Sequence, residues 1–219
     1  MIRRRVLAGA APLALSALLA PVRVAFAGAQ VEEPIADAAL NALRTAVGAP
    51  AREYLKPPEL EFRTVDERLA YLRWLGAMNR RLTRWMNWDQ RRDFLQTVWY
   101  ESQRAALDPA LVLGLIQVES NFNKFAVSRV GARGYMQVMP FWTRLISGAD
   151  PSVLFHMQTN LRFGCTILRY YLLDRENGDL FMALGRYNGS RGQPQYPRAV
   201  LSAKRAWDWK DIGQGQPTS

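Results

Sequence analysis

Apolar residues recur every three to four positions along most of this chain, the spacing typical of amphipathic α-helices. The pattern predicts helices over residues 65–86, 88–107, 109–120, 141–147, 160–173 and 180–187, a last helix that begins at Pro197, and a weaker one over 35–47. No alternating strand pattern of useful length occurs, although residues 130–137 could form a short β-hairpin. The sequence therefore predicts an all-α fold, a compact domain of several helices.

Two of these helices have recognisable starts and inward faces. Thr64 and Glu67 have the spacing of a capping box, and Asn87 can cap the helix that follows. The first helix should bury an apolar stripe made of Leu69, Leu72, Leu75, Met78, Leu82 and Met86. The second should point Phe94, Leu95, Val98 and Trp99 inward.

The helix that starts at Pro109 ends its apolar face on a carboxylate. Asp108 can cap this helix, and Glu119 follows four residues after Leu115 and three after Ile116. Burying an ionised carboxylate without a partner is so costly that the group tends to keep its proton. A glutamic acid with a raised pKa is what general acid catalysis near neutral pH requires. Taken alone, Glu119 is more simply interpreted as a surface glutamate. The residues that follow it decide between this interpretation and a catalytic acid.

The first 27 residues have the features of a secretory signal peptide. Three arginines precede an Ala/Leu-rich run, and Ala25-Phe26-Ala27 is a small-x-small pattern that predicts cleavage after Ala27. A membrane span is the alternative, but two prolines interrupt the run and Arg23 closes it, short of the ~20 apolar residues that a span needs. We therefore expect export to the periplasm, with secretion as the alternative, and no stable membrane anchor after cleavage.

The sequence has one cysteine and one histidine, which limits the disulfides and metal sites that it could form. Cys165 cannot form an internal disulfide, and its place on an apolar helical face predicts a small core residue. His156 has no histidine or cysteine near it in the sequence, so we expect neither a zinc site nor a cofactor.

The net charge narrows the partners. The formal charge is +10, and loss of the signal peptide removes four arginines and no acids, which leaves +6. A basic exported protein can meet nucleic acid, anionic membrane or anionic wall polymer. Nucleic acid is not expected outside the cytoplasm, whereas peptidoglycan, with its peptide carboxylates, fits both the charge and the compartment.

Three blocks of residues follow one another in order after the helix at Pro109. They are Glu119-Ser120, then Ala126-Val-Ser128 with Gly131-Ala-Arg-Gly-Tyr-Met-Gln137-Val-Met-Pro140, and then Arg186-Tyr187-Asn188-Gly189. Together they resemble the soluble lytic transglycosylase family, which has a goose-lysozyme-like fold, and the resemblance covers about residues 94–209. It implies cleavage of peptidoglycan between N-acetylmuramic acid and N-acetylglucosamine without added water, which leaves a 1,6-anhydro sugar at the new end.

The resemblance also implies roles for individual side chains. Glu119 is the single acid/base, and the hydroxyl of Tyr187 orients it. Ser128 and Gln137 hydrogen-bond hydroxyl or acetamido groups of the saccharide. Met139 either lies beside the saccharide or belongs to the core. Asn188, in the third block, joins the substrate-binding set.

Three positions depart from the family pattern. Tyr135 stands where leucine is usual, and either adds a stacking surface for the saccharide or is a larger core residue. Arg186 stands where a small residue is common, and it should face solvent because in the cleft it would lower the pKa of Glu119. Ser190 replaces a frequent glycine, which puts the loop after Tyr187 in question.

Acidic residues are missing around the presumed cleft. There is no Asp or Glu between Glu119 and Asp150, and none between Ala183 and Ala206. Most glycosidases use two carboxylates, whereas a single one suits attack by the substrate's own C6 hydroxyl. A lysozyme-type hydrolase of the same fold and a non-catalytic wall-binding assembly protein are the alternatives.

These observations divide the chain into five parts. They are a signal peptide at 1–27, a linker or surface strap at 28–63, an accessory helix at 64–89, the catalytic domain at 90–210 and a flexible tail at 211–219. The expected partners are peptidoglycan glycan strands, with wall-synthesis or secretion machinery as further candidates.

Overall fold

The structure, a computed structural model, describes residues 30–48 and 57–211. The predicted signal peptide and nearly all of the predicted tail lie outside the described residues. The described part contains eight α-helices: α1 Asp37–Val47, α2 Val65–Arg81, α3 Trp88–Arg104, α4 Pro109–Ser120, α5 Phe141–Ile146, α6 Met157–Tyr170, α7 Leu180–Tyr187 and α8 Gln195–Trp207. A 3₁₀ turn, Pro151–Phe155, precedes α6, and a π-helical turn, Tyr171–Arg175, follows it. The described residues contain no β-strand, which confirms the all-α prediction.

The segment predicted as a β-hairpin forms a tight loop instead. Arg133 makes isolated antiparallel bridges to Val127 and to Val138, without extending into strands. Its backbone exchanges hydrogen bonds of 2.9 and 3.0 Å with that of Val138. We call residues 126–139 the central loop, because it lies between α4 and α5 in the chain and carries several of the expected site residues.

Helix α4 lies in the middle of the molecule. Every residue from Ala110 to Ile116 is buried, as expected of a helix that is apolar on all sides. The carboxylate of Asp108 caps the helix by accepting a 2.8 Å hydrogen bond from the Ala110 N–H, as predicted. Asn121, in the left-handed conformation with φ of 48°, ends it. This helix therefore delivers Glu119 from the core to the surface.

Helices α4 and α8 pack in close contact. Lys204 of α8 reaches Asp108 with an Nζ–Oδ2 distance of 2.8 Å, and the indole of Trp207 donates a 2.7 Å hydrogen bond to the side chain of Gln117. The close approach requires Gly114, since a Cβ there would lie 2.6 Å from Lys204 N and 2.8 Å from its Cα. The glycine thus fixes how near the two helices pack.

The buried face of α2 differs from the predicted stripe. Met78 is buried, but Leu69 and Leu72 are 43% and 48% exposed. Leu82 and Met86 are also buried, but they follow the helix, which ends at Arg81 and not at Met86 as predicted. The helix instead buries two aromatic rings, Tyr71 and Trp74, which lie 5.3 and 4.9 Å from the ring of Trp99 on α3. Aromatic rings bury more apolar area than leucines, so they set the rotation of the helix. The aliphatic pattern alone placed this face wrongly.

Residues 30–36 form an extended strap that leads into α1, and α1 packs on α5 and α6. Ion pairs fasten the strap, with Glu32 2.7 Å from Arg144 and Glu33 2.5 Å from Arg175. The buried carboxylate of Glu101 joins α3 to α6 through Arg162 at 2.9 Å. No helix in the described ranges has both the length and the apolar composition of a bilayer span.

Two helices begin earlier than predicted, and the cysteine is placed as expected. Helix α6 starts at Met157, and its last predicted residues belong to the π-helical turn. Helix α8 starts at Gln195, because a proline at 197 is tolerated in the first turn. Cys165 is completely buried in the core, as predicted.

A pair of glycine substitutions tests the α4–α8 contact. Gly114→Ala should lower the free energy of unfolding by about 1–3 kcal/mol, because backbone atoms of α8 cannot move aside as a side chain could. Gly76→Ala in α2 is the matched control, since its Cβ would meet nothing nearer than Arg80 Nη1 at 3.9 Å. It should raise stability by about 0.5–1 kcal/mol through helix propensity. Chemical denaturation measures both, and equal effects would contradict the close-packing account.

Candidate active site

Glu119 lies in the last turn of α4 and is partly exposed. Its Oε1 accepts a short hydrogen bond from the hydroxyl of Tyr196, which is buried in the first turn of α8. Burial raises the pKa of Glu119 from 4.5 to about 8, and the hydrogen bond from Tyr196 opposes that rise. Neither of these two causes of the shift in the Glu119 pKa involves a charged group. The carboxyl therefore carries its proton at neutral pH, as a general acid must.

Tyr196 was not among the site residues predicted from the sequence. The predicted last helix began at Pro197, which left Tyr196 outside it, and the residue lies beyond the third block of the resemblance. Tyr196 reaches Glu119 because α8 packs along α4, a pairing that connects residues 77 positions apart. No local signal in the sequence identifies such a contact.

Tyr187 has a different partner from the one expected. Its hydroxyl donates a 2.8 Å hydrogen bond to the carbonyl of Met136, so Tyr196 and not Tyr187 holds the carboxylate of Glu119. Tyr187 is 0% exposed, which also excludes a helix-end tyrosine with a solvated hydroxyl. The pKa of Tyr187 is raised well above its ordinary value by burial, and then by the nearby charge of Glu119. Tyr187 thus supports the central loop close to the glutamate.

A buried asparagine that the sequence analysis passed over also holds the central loop. Asn160 accepts a 2.8 Å hydrogen bond from the N–H of Met136, and its amide donates to the carbonyls of Arg133 and Leu154, both at 2.8 Å. Gly134, with φ of +76°, leaves room for this amide, since a Cβ would lie 2.4 Å from Asn160 Nδ2. Gly134 is therefore required by its backbone conformation and by packing within the protein.

Ser128 and Gln137 lie on the central loop with hydrogen-bonding capacity to spare. The hydroxyl oxygen of Ser128 accepts a 3.0 Å bond from the N–H of Ala132, and its proton has no acceptor within the described ranges. The amide nitrogen of Gln137 donates to the carbonyls of Ala126 and Gly134 at 3.1 and 2.9 Å, while its Oε1 receives no bond from any described residue. The hydroxyl of Ser128 can still donate a hydrogen bond, and Oε1 of Gln137, although this residue is only 6% exposed, can still accept one.

The other residues expected to bind the saccharide are mostly buried by neighbouring protein groups. Tyr135 is 7% exposed, and its ring packs 5.0 Å from that of Phe94, so the structure favours the larger-core reading over the stacking surface. Asn188 is buried and accepts a 3.0 Å hydrogen bond from Ser190. Met139 is only partly buried, next to Gln137.

Arg186 does not face solvent, contrary to the prediction. Its side chain is 14% exposed and lies 2.6 Å from both Glu176 and Glu33. These carboxylates neutralise the guanidinium within the protein, so it can stay next to Tyr187 in the chain without charging the site. The described residues also contain no cluster of three or more His, Cys, Asp or Glu that could hold a metal ion.

The chain is similar to several known proteins. The family model described as "Transglycosylase SLT domain" matches residues 96–210, which include Glu119, Tyr196 and the whole central loop. The chain is 31% identical over 115 residues to "Membrane-bound lytic murein transglycosylase C" of Haemophilus influenzae strain PittEE, covering 46% of this chain and 32% of that protein. It is 37% identical over 106 residues to the "Transglycosylase" of Enterobacteria phage PRD1, covering 45% of this chain and 37% of that protein.

Among solved structures, a lytic transglycosylase Slt from Pseudomonas aeruginosa superposes with a TM-score of 0.47 at 24% identity, over 64% of this chain and 29% of that one. The matched region thus spans roughly a third of the length of these relatives.

The pKa of Glu119 predicts how stability depends on pH. Between about 4.5 and 8 the folded protein holds a proton that the unfolded chain has released, so stability should fall as pH rises through that window. Glu119→Gln removes this dependence, and the wild type should lose about 2–4 kcal/mol relative to the variant between pH 4.5 and 7. Urea denaturation at a series of pH values measures the difference. Parallel stability curves for the two proteins would show that the pKa is not raised.

Two tyrosine substitutions separate the contact to Glu119 from support of the central loop. Tyr196→Phe removes the hydrogen bond that lowers the pKa of Glu119, so this pKa should rise further. Tyr187→Phe leaves the buried carbonyl of Met136 without its donor, which should cost about 1–3 kcal/mol of stability with little change in the pKa of Glu119. Carbon-13 NMR of labelled glutamate follows the pKa, and thermal unfolding follows stability. An unchanged pKa in Tyr196→Phe would contradict the assignment of Tyr196.

Proposed function

Because this chain belongs to the Transglycosylase SLT domain family, we propose that it is an exported peptidoglycan lytic transglycosylase. It cleaves the β-1,4 bond between N-acetylmuramic acid and N-acetylglucosamine without water and leaves 1,6-anhydro-muramic acid ends. The observation that carries the proposal is the carboxyl of Glu119, whose pKa is raised to about 8 by burial and which an uncharged tyrosine holds.

The first half of the reaction uses Glu119 as an acid. Its proton passes to the oxygen of the glycosidic bond as the bond from that oxygen to C1 of the muramic acid breaks. Glu119 then carries a negative charge, and the hydroxyl of Tyr196 already points at its Oε1. A hydrogen bond to an ionised acceptor is stronger than one to a neutral acceptor. Tyr196 therefore stabilises the group more as the proton leaves.

The second half uses the same carboxylate as a base. Glu119 takes the proton of the muramic acid C6 hydroxyl while that oxygen bonds to C1, which closes the anhydro ring and restores the protonated carboxyl. The acetamido carbonyl of the substrate can assist the departure, as in other substrate-assisted glycosidases. Since no residue between Glu119 and Asp150 is acidic, the sequence around the site supports a single carboxylate.

The central loop supplies the contacts to the saccharide. We assign Ser128 as a hydroxyl donor and Gln137 Oε1 as an acceptor, because these two groups keep unused hydrogen-bonding capacity. Met139, two residues after Gln137, is only partly buried and joins this set. Tyr187, Asn188 and Tyr135 act from behind, because Tyr187 and Asn188 hydrogen-bond Met136 and Ser190 and the ring of Tyr135 packs on that of Phe94.

The net charge and the packing of the helices support a proposal for the compartment, the domain division and the partners. A net charge of +6 after loss of the signal peptide favours binding to wall polymer in the periplasm. Residues 90–210 form the catalytic domain and residues 64–89 an accessory helix, which packs on α3 through Trp74 and Trp99. Wall-synthesis or secretion machinery remain candidate partners.

Analysis of the released sugars tests the proposal. Digestion of purified peptidoglycan in heavy-oxygen water should give muropeptides that lack one water relative to lysozyme products and carry no label at the cleaved bond. Glu119→Gln should lower the rate by at least about 10²–10⁴-fold, the usual contribution of a general acid–base group, and is the matched control.

Three outcomes would contradict parts of the proposal. Reducing, labelled muramic acid ends would identify a lysozyme-type hydrolase. Wall binding without cleavage would identify a non-catalytic assembly protein. Near-normal turnover by folded Glu119→Gln would remove Glu119 from the mechanism.

A further inference from the structure

Gln30, at the start of the strap, contacts the central loop across 107 positions of sequence. Its Nε2 donates a 3.2 Å hydrogen bond to the carbonyl of Gln137, and its Oε1 accepts a 2.8 Å bond from the N–H of Met139. The side chain is only 4% exposed, which is unusual for a glutamine. One carboxamide thus bridges two backbone groups on either side of Val138.

The backbone at this point needs external support. The backbone of Gln137 has φ of +48°, a left-handed conformation that residues other than glycine rarely adopt. The loop's internal hydrogen bonds use the N–H of Gln137, which donates to Gly134, and both polar groups of Val138. The carbonyl of Gln137 and the N–H of Met139 are left over, and Gln30 satisfies both.

The strap also connects the loop to the end of α7. Three residues after Gln30, the carboxylate of Glu33 lies 2.6 Å from Nη1 of Arg186, the residue before Tyr187. Tyr187 in turn holds the carbonyl of Met136. The strap therefore contacts both segments that carry expected saccharide-binding residues, the central loop and the end of α7.

We propose that Gln30 is a positioning residue for saccharide binding, which fixes the backbone of Gln137 and Met139 so that both side chains face the substrate. This inference rests on the proposed function, in which these two residues contact the saccharide. It assigns a part in substrate binding to a residue that lies outside the 96–210 region matched by the family model. Within the strap, Gln30 alone then belongs to the binding machinery, because it is the residue whose side chain hydrogen-bonds the central loop.

If Gln30 instead competed with the saccharide, its removal would have the opposite effect on KM, so the sign of the change in KM distinguishes the two roles. A carboxamide offers the same donor and acceptor as an acetamido group of the saccharide, so Gln30 would compete with substrate if it occupied a sugar position. Its burial and the ion pairs from Glu33 to Arg175 and Arg186 favour a permanent support. Removing a support weakens substrate binding, whereas removing a competitor strengthens it.

The test compares Gln30→Met with Glu32→Gln. Methionine keeps the length of the side chain without either hydrogen bond, and Glu32→Gln weakens an exposed ion pair of the same strap that does not contact the loop. Gln30→Met should raise KM for soluble glycan strands about tenfold, the effect of about 1.4 kcal/mol, with kcat and the pH profile of turnover nearly unchanged. Glu32→Gln should leave KM at the wild-type value.

A readout independent of catalysis uses binding of the Glu119→Gln protein to purified wall. Adding Gln30→Met to that protein should weaken binding by a similar factor, about tenfold. A lowered KM would identify a competing carboxamide, and an unchanged KM with reduced thermal stability would show a purely structural role. Either result overturns the inference. Absence of turnover in the wild type would instead contradict the proposed function, so the two failures are distinguishable.

Discussion

The site depends on one contact, the hydrogen bond from the hydroxyl of the buried Tyr196 to the carboxyl of Glu119. It exists only because α8 lies directly against α4, and that approach requires a glycine at position 114. The partner is uncharged, so it orients the carboxyl without forcing it to ionise. A lysine or arginine in the same place would lower the pKa and remove the acid. The packing of α8 against α4 thus helps to determine the protonation state of Glu119.

The rest of the site is held in a way that keeps charge away from Glu119. The central loop is supported by neutral groups: the amide of Asn160, the hydroxyl of Tyr187 and the carboxamide of Gln30. The nearest arginine in the third block, Arg186, is neutralised by Glu33 and Glu176. In a chain with a net charge of +10, this arrangement allows a basic protein to retain a protonated carboxyl. The strap contributes both to the neutral support and to the neutralisation.

Errors of the sequence analysis have a common cause. The face of α2 was placed by its leucines, but the rings of Tyr71 and Trp74 bury more area and pack on Trp99. Tyr187 was assigned to Glu119 because it lies in a block of the family pattern, yet its hydroxyl contacts Met136. Arg186 was expected in solvent because in the cleft it would lower the pKa of Glu119, but two carboxylates 10 and 153 positions away neutralise it within the protein. In each case a long-range partner outweighed the local pattern.

The sequence by itself determined the helices, their caps and the place of the acid. Periodicity and capping are local, since a helix forms from residues within four positions of one another, and they put Glu119 at the end of an apolar face. Only the tertiary structure decided which groups meet that acid. Tyr196 and Gln30 reach the site across 77 and 107 positions of sequence, and neither stands in a block that marks it. Such contacts follow from how whole helices pack, and the side chain that fills a given space is settled only when the helices are assembled.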